Sequence, residues 1–288
     1  MTPVRAVEGG RITLRGSGFP VDTLPDVTVG GQRALVAFAS STRIVVAVPD
    51  DVEAGPAPIR IENLPGATAY VSVGGPWATG LHQVDNPVFD ADGNLFVTYS
   101  GSRGQESPVS IFRVTPAGTR EPFVSGIVNA TSMGIGPDGH LYVSSRFEGA
   151  VYRVMSEGKQ ELLVSELGVA CGLAFDRAGD LYVGDRSGTI FRVRDGRAEP
   201  FAILPASVAA FHLAISPEGE LFASGPSVST YDHVYRIDRR GEVRTLPTPL
   251  GRPQGLAFAA DGVLHIVDAL AGASGVYRFA RFDAPPGA

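Results

Sequence analysis

The sequence predicts an all-β chain in two parts, a small β-sandwich followed by a β-propeller with five sequence repeats. The first observation is a phrase written five times, a Gly turn leading into Leu-aromatic-small: Asp92-Gly93-Asn94-Leu95-Phe96-Val97, Asp138-Gly139-His140-Leu141-Tyr142-Val143, Ala178-Gly179-Asp180-Leu181-Tyr182-Val183, Glu218-Gly219-Glu220-Leu221-Phe222-Ala223 and Asp261-Gly262-Val263-Leu264-His265-Ile266. Its leucines step by 46, 40, 40 and 43 residues. A period of about 40–45 residues built from short strands is that of a propeller blade. The second observation is that this period is missing before residue 75, where short alternating strands alternate with Gly and Pro turns.

The N-terminal strands come first. Ile12 and Leu14 alternate with Arg11, Thr13 and Arg15, and further apolar runs follow at Val27–Val29, Ala34–Phe38, Ile44–Val48, Ile59–Ile61 and Tyr70–Val73. Six or seven strands in about 70 residues describe a small sandwich. This part is expected to span 1–74, with a junction at 75–81 that holds Trp77, the only tryptophan, as a packing residue. The propeller then spans 82–288.

In the propeller each repeat divides into four strands. The third reads Gly172–Phe175, Leu181–Val183, Thr189–Val193 and Ala198–Ala202. Every third strand carries an arginine (Arg113, Arg153, Arg192, Arg236, Arg278), whose recurrence points to packing between blades and not to catalysis. The fifth repeat stops after its third strand at Phe279. The plan is therefore either five-bladed or a six-bladed one lacking its last blade, and the N-terminal side is expected to help close it, since an open ring leaves strand edges unpaired.

The segments Gly9–Phe19, Val27–Gly31 and Ser41–Pro49 resemble the IPT/TIG family of immunoglobulin-like domains, although only about seven residues precede the Gly9-Gly10 turn, so the first edge strand is short or missing. That resemblance implies a spacer or binding module. Cys171-Gly172-Leu173-Ala174-Phe175-Asp176, Gln254-Gly255-Leu256-Ala257-Phe258 and the Gly-x-Leu-Tyr-Val segments are similar to NHL-repeat and SMP-30/gluconolactonase-like propellers. This second resemblance favours an extracytoplasmic location, while Met1-Thr2-Pro3-Val4-Arg5 shows no apolar leader.

Composition narrows the functional classes. The net charge of −6 speaks against nucleic acid, no apolar run reaches the roughly 18 residues of a membrane helix, and a single cysteine permits no internal disulfide. Nucleophile-elbow, phosphate-loop, zincin and paired-cysteine motifs are absent from the sequence. Asn129-Ala130-Thr131 matches a glycosylation acceptor, but its place beside an inner strand argues against its use.

Identically built blades place function where the copies disagree. The positions nine and ten residues ahead of the repeat leucines give a candidate channel ring of Asp85, Asn86, Thr131, Ser132, Cys171, His212 and Gln254, joined by nearby His82. In the gluconolactonase-like family these positions hold the divalent-metal ligands. Here Asp85-Asn86-Pro87 stands for the first motif, and Cys171 and Gln254 replace the acidic or amide ligands ahead of Gly-Leu. Calcium takes six to eight oxygens, so no cofactor is expected, and Asp85 and Asn86 are the only candidate ligands for a divalent metal such as calcium. A softer metal on His212 and Cys171 is the alternative. Loop residues Arg103, Arg146, Asp185, Arg186 and Asp268 form a second set, at the mouth.

The reading is a non-catalytic binding or scaffold protein that presents a propeller face to a protein, a glycan or a small polar ligand. The alternatives are a gluconolactonase-like metal-dependent hydrolase with an altered site, and an assembly subunit that self-associates through an incomplete blade or the sandwich.

Overall fold

Alternating apolar residues set the first eight strands. In the computed structural model these are β1 (Arg5–Val7), β2 (Arg11–Arg15), β3 (Val27–Val29), β4 (Gln32–Ala34), β5 (Val36–Ser40), β6 (Arg43–Ala47), β7 (Gly55–Ile61) and β8 (Ala69–Gly74). The structure describes residues 1–2, 4–20, 22–64, 68–75, 87–229, 232–246, 250, 252–268 and 275–279, with 268 and 275–279 by backbone alone. Two units divide the chain, Met1–Thr79 and Gly80–Ala288.

The first unit is a sandwich of two sheets, β1-β8-β7-β3-β4 and β2-β6-β5. Ile12 and Leu14 point inward from β2 onto Val27, Val29, Ile44, Val46 and Val71, so the period of two in the sequence becomes one buried face. The edge strand ahead of Gly9-Gly10 is present but short: β1 has three residues and runs parallel to β8. The run Ala34–Phe38, expected as one strand, is two. β4 folds back on β3 through Gly30 and Gly31, both at positive φ, whereas β5 pairs with β6 in the other sheet. Leu35 is the crossing point and is 73% exposed. Pro56 and Pro58 precede the stretch Ile59–Ile61 that pairs with β3, so they interrupt no ladder on that side.

The second unit carries the repeats. Blade one is β9 (Val88–Phe89), β10 (Leu95–Thr98), β11 (Ile111–Val114) and β12 (Arg120–Val124). Blade two is β13 (Ala130–Ile135), β14 (Leu141–Ser145), β15 (Ala150–Val154) and β16 (Gln160–Val164). Blade three is β17 (Ala170–Phe175), β18 (Leu181–Asp185), β19 (Thr189–Arg194) and β20 (Arg197–Ile203). Blade four is β21 (His212–Ile215), β22 (Leu221–Ser224), β23 (Val234–Ile237) and β24 (Val243–Thr245). Blade five is described as β25 (Pro253–Phe258), β26 (Leu264–Asp268) and β27 (Gly275–Phe279). Each is an antiparallel meander of one continuous stretch of chain. The first strands of blades two to five pack side by side, which makes them the inner strands. No helix of the described residues is long and apolar enough to cross a membrane.

Packing between blades explains the repeated words. The apolar clusters each straddle two successive blades, as where Tyr142 and Val151 of blade two meet Leu173, Leu181 and Val183 of blade three. Both faces of the second strands are therefore covered, and all five residues of β14 and of β18 are buried. The third-strand arginines of the first four blades, expected to pack between blades, reach an acid or a ring of their own blade. Arg113 pairs with Glu121 (2.7 Å), Arg153 with Asp138 (2.7 Å), Arg236 with Glu220 through both arms (2.8 Å each), and Arg192 lies over the Phe201 ring.

Candidate functional site

Of the candidate ring residues, Thr131, Ser132, Cys171 and Gln254 sit on inner-strand bulges, while His212 opens β21 in regular register. In β13 the register steps from Ala130 opposite Ser145 to Met133 opposite Val143, and in β17 from Ala170 opposite Asp185 to Leu173 opposite Val183. The extra residue falls at Thr131-Ser132 and at Cys171-Gly172, and the equivalent shift in β25 falls at Gln254-Gly255. A bulge frees polar groups from the ladder, and these groups are taken up locally. Thr131 donates from Oγ1 to the Asn129 carbonyl (2.9 Å), and Cys171 donates from Sγ to the Val169 carbonyl (3.3 Å), the same two-residue reach in successive blades. Thr131, Ser132 and Cys171 are buried; His212 and Gln254 are half-buried. His82, Asp85 and Asn86, and with them the proposed metal ligands, lie outside the described residues. Among the described residues no group of three His, Cys, Asp or Glu could hold a metal ion.

A column that the sequence reading passed over fastens the blades. Three residues past each repeat leucine stand Thr98, Ser144, Gly184, Ser224 and Val267. Ser144 accepts the bulge N–H of Ser132 in its own blade (3.0 Å) and donates to the Cys171 carbonyl of the next (2.7 Å). Thr98 donates to the Thr131 carbonyl (3.4 Å), and Ser224 donates to the Gln254 carbonyl. A hydroxyl of the second strand thus clasps the bulge of the following inner strand. The recurrence of Thr and Ser in one column was the signal available in the sequence.

The junction of blades three and four lacks the hydroxyl and has Phe211 instead, 1% exposed. A Cβ on Gly184 would stand 3.0 Å from the Phe211 Cβ, one on Gly172 would stand 2.3 Å from its carbonyl oxygen, and one on Gly225 would meet its ring at 2.7 Å. Three glycines thus leave room for one residue, Gly172 for its carbonyl, Gly184 for its Cβ and Gly225 for its ring.

The second candidate set lies where second strands end. Asp185 is buried, accepting from the Val169 N–H (2.8 Å) and the Ser187 hydroxyl, so it ties its own loop to the segment entering its inner strand. Ser145 holds the corresponding place in blade two, donating to the Val128 carbonyl (2.6 Å). Asp268 ends β26, where only the backbone is described. Arg103, Arg146 and Arg186 are exposed at this end. Asn129, which sequence reasoning noted only as a glycosylation match, is 1% exposed and at φ 51°. Its amide donates to the Ser100 and Ser102 carbonyls and accepts from the Gly104 N–H (2.7 Å), so it organises this end and is closed to modification.

The opposite end, made of the Gly turns, is crossed by ion pairs. Asp138 accepts from the Tyr142 hydroxyl (2.9 Å) and pairs with Arg153. Burial pushes the Tyr142 phenol up to about 12, with the hydrogen bond to Asp138 adding to it. Burial alone would raise the Asp138 carboxyl; the His140 N–H, the Tyr142 hydroxyl and Arg153 bring it below its ordinary value instead. A groove of about 350 Å³ beside blades three and four is lined by Arg177, Arg194, Asp180 and Glu218 among others, acids and bases mixed.

Comparison with known proteins agrees with this architecture. Residues 1–73 match the model of the IPT/TIG domain. No curated protein matches the chain. Among solved structures, a virginiamycin B lyase from Staphylococcus aureus aligns at 15% identity over 96% of this chain and 90% of its own, TM-score 0.55. An auxiliary nutrient binding protein from Bacteroides ovatus aligns at 13% over 92% and 93%, TM-score 0.52. A protein assigned to the gluconolactonases aligns at 18% over 71% and 76%, TM-score 0.55. At such identities the likeness carries the fold alone. Residues 1–73 are thus similar to the IPT/TIG domain, and the second unit has the β-propeller fold also seen in the gluconolactonase and virginiamycin B lyase structures.

Proposed function

We propose that this protein is a non-catalytic binding or scaffold protein that presents the loop end of its propeller, at the exits of the second strands, to a protein, glycan or small polar ligand, with the IPT/TIG domain as spacer or docking unit. Solved structures of this fold include a nutrient binding protein and a lyase, so the site has to decide between binding and catalysis. The observation that carries the reading is the use made of the polar atoms of the inner strands and of the second strands beside them. Thr131, Ser132, Cys171, Ser144 and Ser224 are committed to bulges and clasps between blades. The loop end, by contrast, offers exposed side chains, among them Phe147 at 52% exposure, over a backbone held by Asn129 and Asp185. Rigid loops with free side chains suit recognition.

The test is a thermal-shift screen of the full chain against saccharides, organic acids and short peptides. A stabilising compound whose effect is lost in Phe147→Asp but kept in Arg177→Gln, at the opposite end, supports the reading. Metal-dependent lactone hydrolysis that disappears in Asp85→Ala would overturn it in favour of a gluconolactonase-like hydrolase.

A further inference from the structure

We infer that the loop end binds a ligand carrying at least two anionic groups, carboxylate or phosphate, through Arg103, Arg146 and Arg186; this rests on the binding reading above and names its ligand class. The first support is local order. Arg103 stands between Ser102, whose carbonyl accepts from the Asn129 amide (2.9 Å), and Gly104, whose N–H donates to the Asn129 Oδ1 (2.7 Å). The Arg146 N–H donates to the carbonyl of the same Asn129 (3.4 Å). One buried residue in left-handed conformation, Asn129, therefore anchors the backbone at arginines of two blades. Close approach of the loops adds to this: a Cβ on Gly104 would stand 2.8 Å from the Phe147 ring.

Blade three continues the line. The Gly149 carbonyl accepts from Leu167 (2.9 Å), Asp185 accepts from Val169 (2.8 Å), and the Arg186 N–H donates back to the Val169 carbonyl (3.3 Å). Arg186 thus repeats, one blade on, the attachment of Arg146. The three backbones are parts of one hydrogen-bonded surface.

The second support is charge. All three side chains are exposed, and their guanidinium groups make no hydrogen bond or ion pair among the described residues. Of the acids at this end, Asp185 is buried in its loop contacts and the Glu106 carboxylate lies toward Gly126, 3.8 Å from its Cβ position, while Glu148 and Glu166 are exposed. The third-strand arginines of the first four blades, in contrast, meet an acid or an aromatic ring. Three exposed guanidinium groups with five donors each, carried on a hydrogen-bonded backbone, present planar heads that match carboxylate or phosphate.

Isothermal titration of the full chain with citrate and with tripolyphosphate, at constant ionic strength, tests this. Saturable binding is expected, weakened by about tenfold or more in each of Arg103→Gln, Arg146→Gln and Arg186→Gln. Arg146→Lys should recover part of the loss, and Arg177→Gln should bind as the parent does. Circular dichroism and melting temperature confirm that the variants are folded, as exposed arginines allow. Preference between the two probes separates a carboxylate from a phosphate ligand. Absence of saturable binding to both, or equal binding by the triple glutamine variant, overturns the inference. In either case a neutral ligand lost in Phe147→Asp would leave the binding reading standing, whereas metal-dependent lactone hydrolysis would remove that reading itself.

Discussion

The junctions on either side of blade three solve the same problem by different chemistry. Between blades two and three a serine hydroxyl bridges the bulge of one blade and the carbonyl of the next, through Ser144, Ser132 and Cys171. Between blades three and four the hydroxyl is replaced by Gly184 and the space is taken by Phe211, fully buried among glycines 172, 184 and 225. The first junction satisfies the polar groups that a bulge exposes. The second fills the volume with an aromatic ring and needs the glycines to admit it. Departure from a repeat is therefore not by itself a mark of function, since packing against Phe211 accounts for the glycine at 184 in place of the hydroxyl.

The largest test of this contrast is Phe211→Ala. Removing a fully buried ring should cost about 3–5 kcal/mol in chemical denaturation of the full chain. A cost no greater than that of removing the Ser144 hydroxyl would show that the ring does not hold the junction. Next comes Gly184→Ser, which brings the hydroxyl of the neighbouring junctions into blade three. Its Cβ would stand 3.0 Å from that of Phe211, so it should destabilise by about 1–3 kcal/mol. Combined with Phe211→Gly, which removes that Cβ, the same serine should cost less than it does alone, because the two positions share one space. Additive effects would separate the glycine from the ring. The Ser144→Ala variant should lose about 1–2 kcal/mol, since it strands the buried Ser132 N–H and Cys171 carbonyl. An unchanged midpoint would mean that the hydroxyl is no clasp.

The contrast also shows what the sequence could tell. Blade period, strand order and the arginine of each third strand follow from packing rules that act at fixed spacing, so they are legible along the chain. The split of Ala34–Phe38 into β4 and β5 is not, because an apolar run carries no mark of the residue at which a strand changes sheets. Thr131, Ser132, Cys171, His212 and Gln254 lie on the first strands of their blades. Their partners were not legible. Bulge geometry decides whether a hydroxyl faces a channel or its own backbone, and bulges leave no pattern in residue type. Asn129 was visible only as part of a glycosylation triplet, and its role depends on a left-handed backbone and on a loop in the preceding blade.

The smallest expected effect concerns the Gly-turn end, where the fastening is ionic. Asp138 accepts from the His140 N–H and the Tyr142 hydroxyl and pairs with Arg153, which together hold its carboxyl below the ordinary value against the effect of burial. A carboxylate whose value is depressed by folding adds stability above its unfolded value and loses it as the pH falls through the folded one. Asp138→Asn keeps a turn-forming residue ahead of Gly139 and removes the charge. The variant should therefore melt below the parent at pH 7, and the gap should narrow as the pH falls below about 4. A gap that stays constant across that range would show that Asp138 acts through turn geometry alone, making the Gly-turn end, like the Phe211 junction, a matter of shape and not of charge.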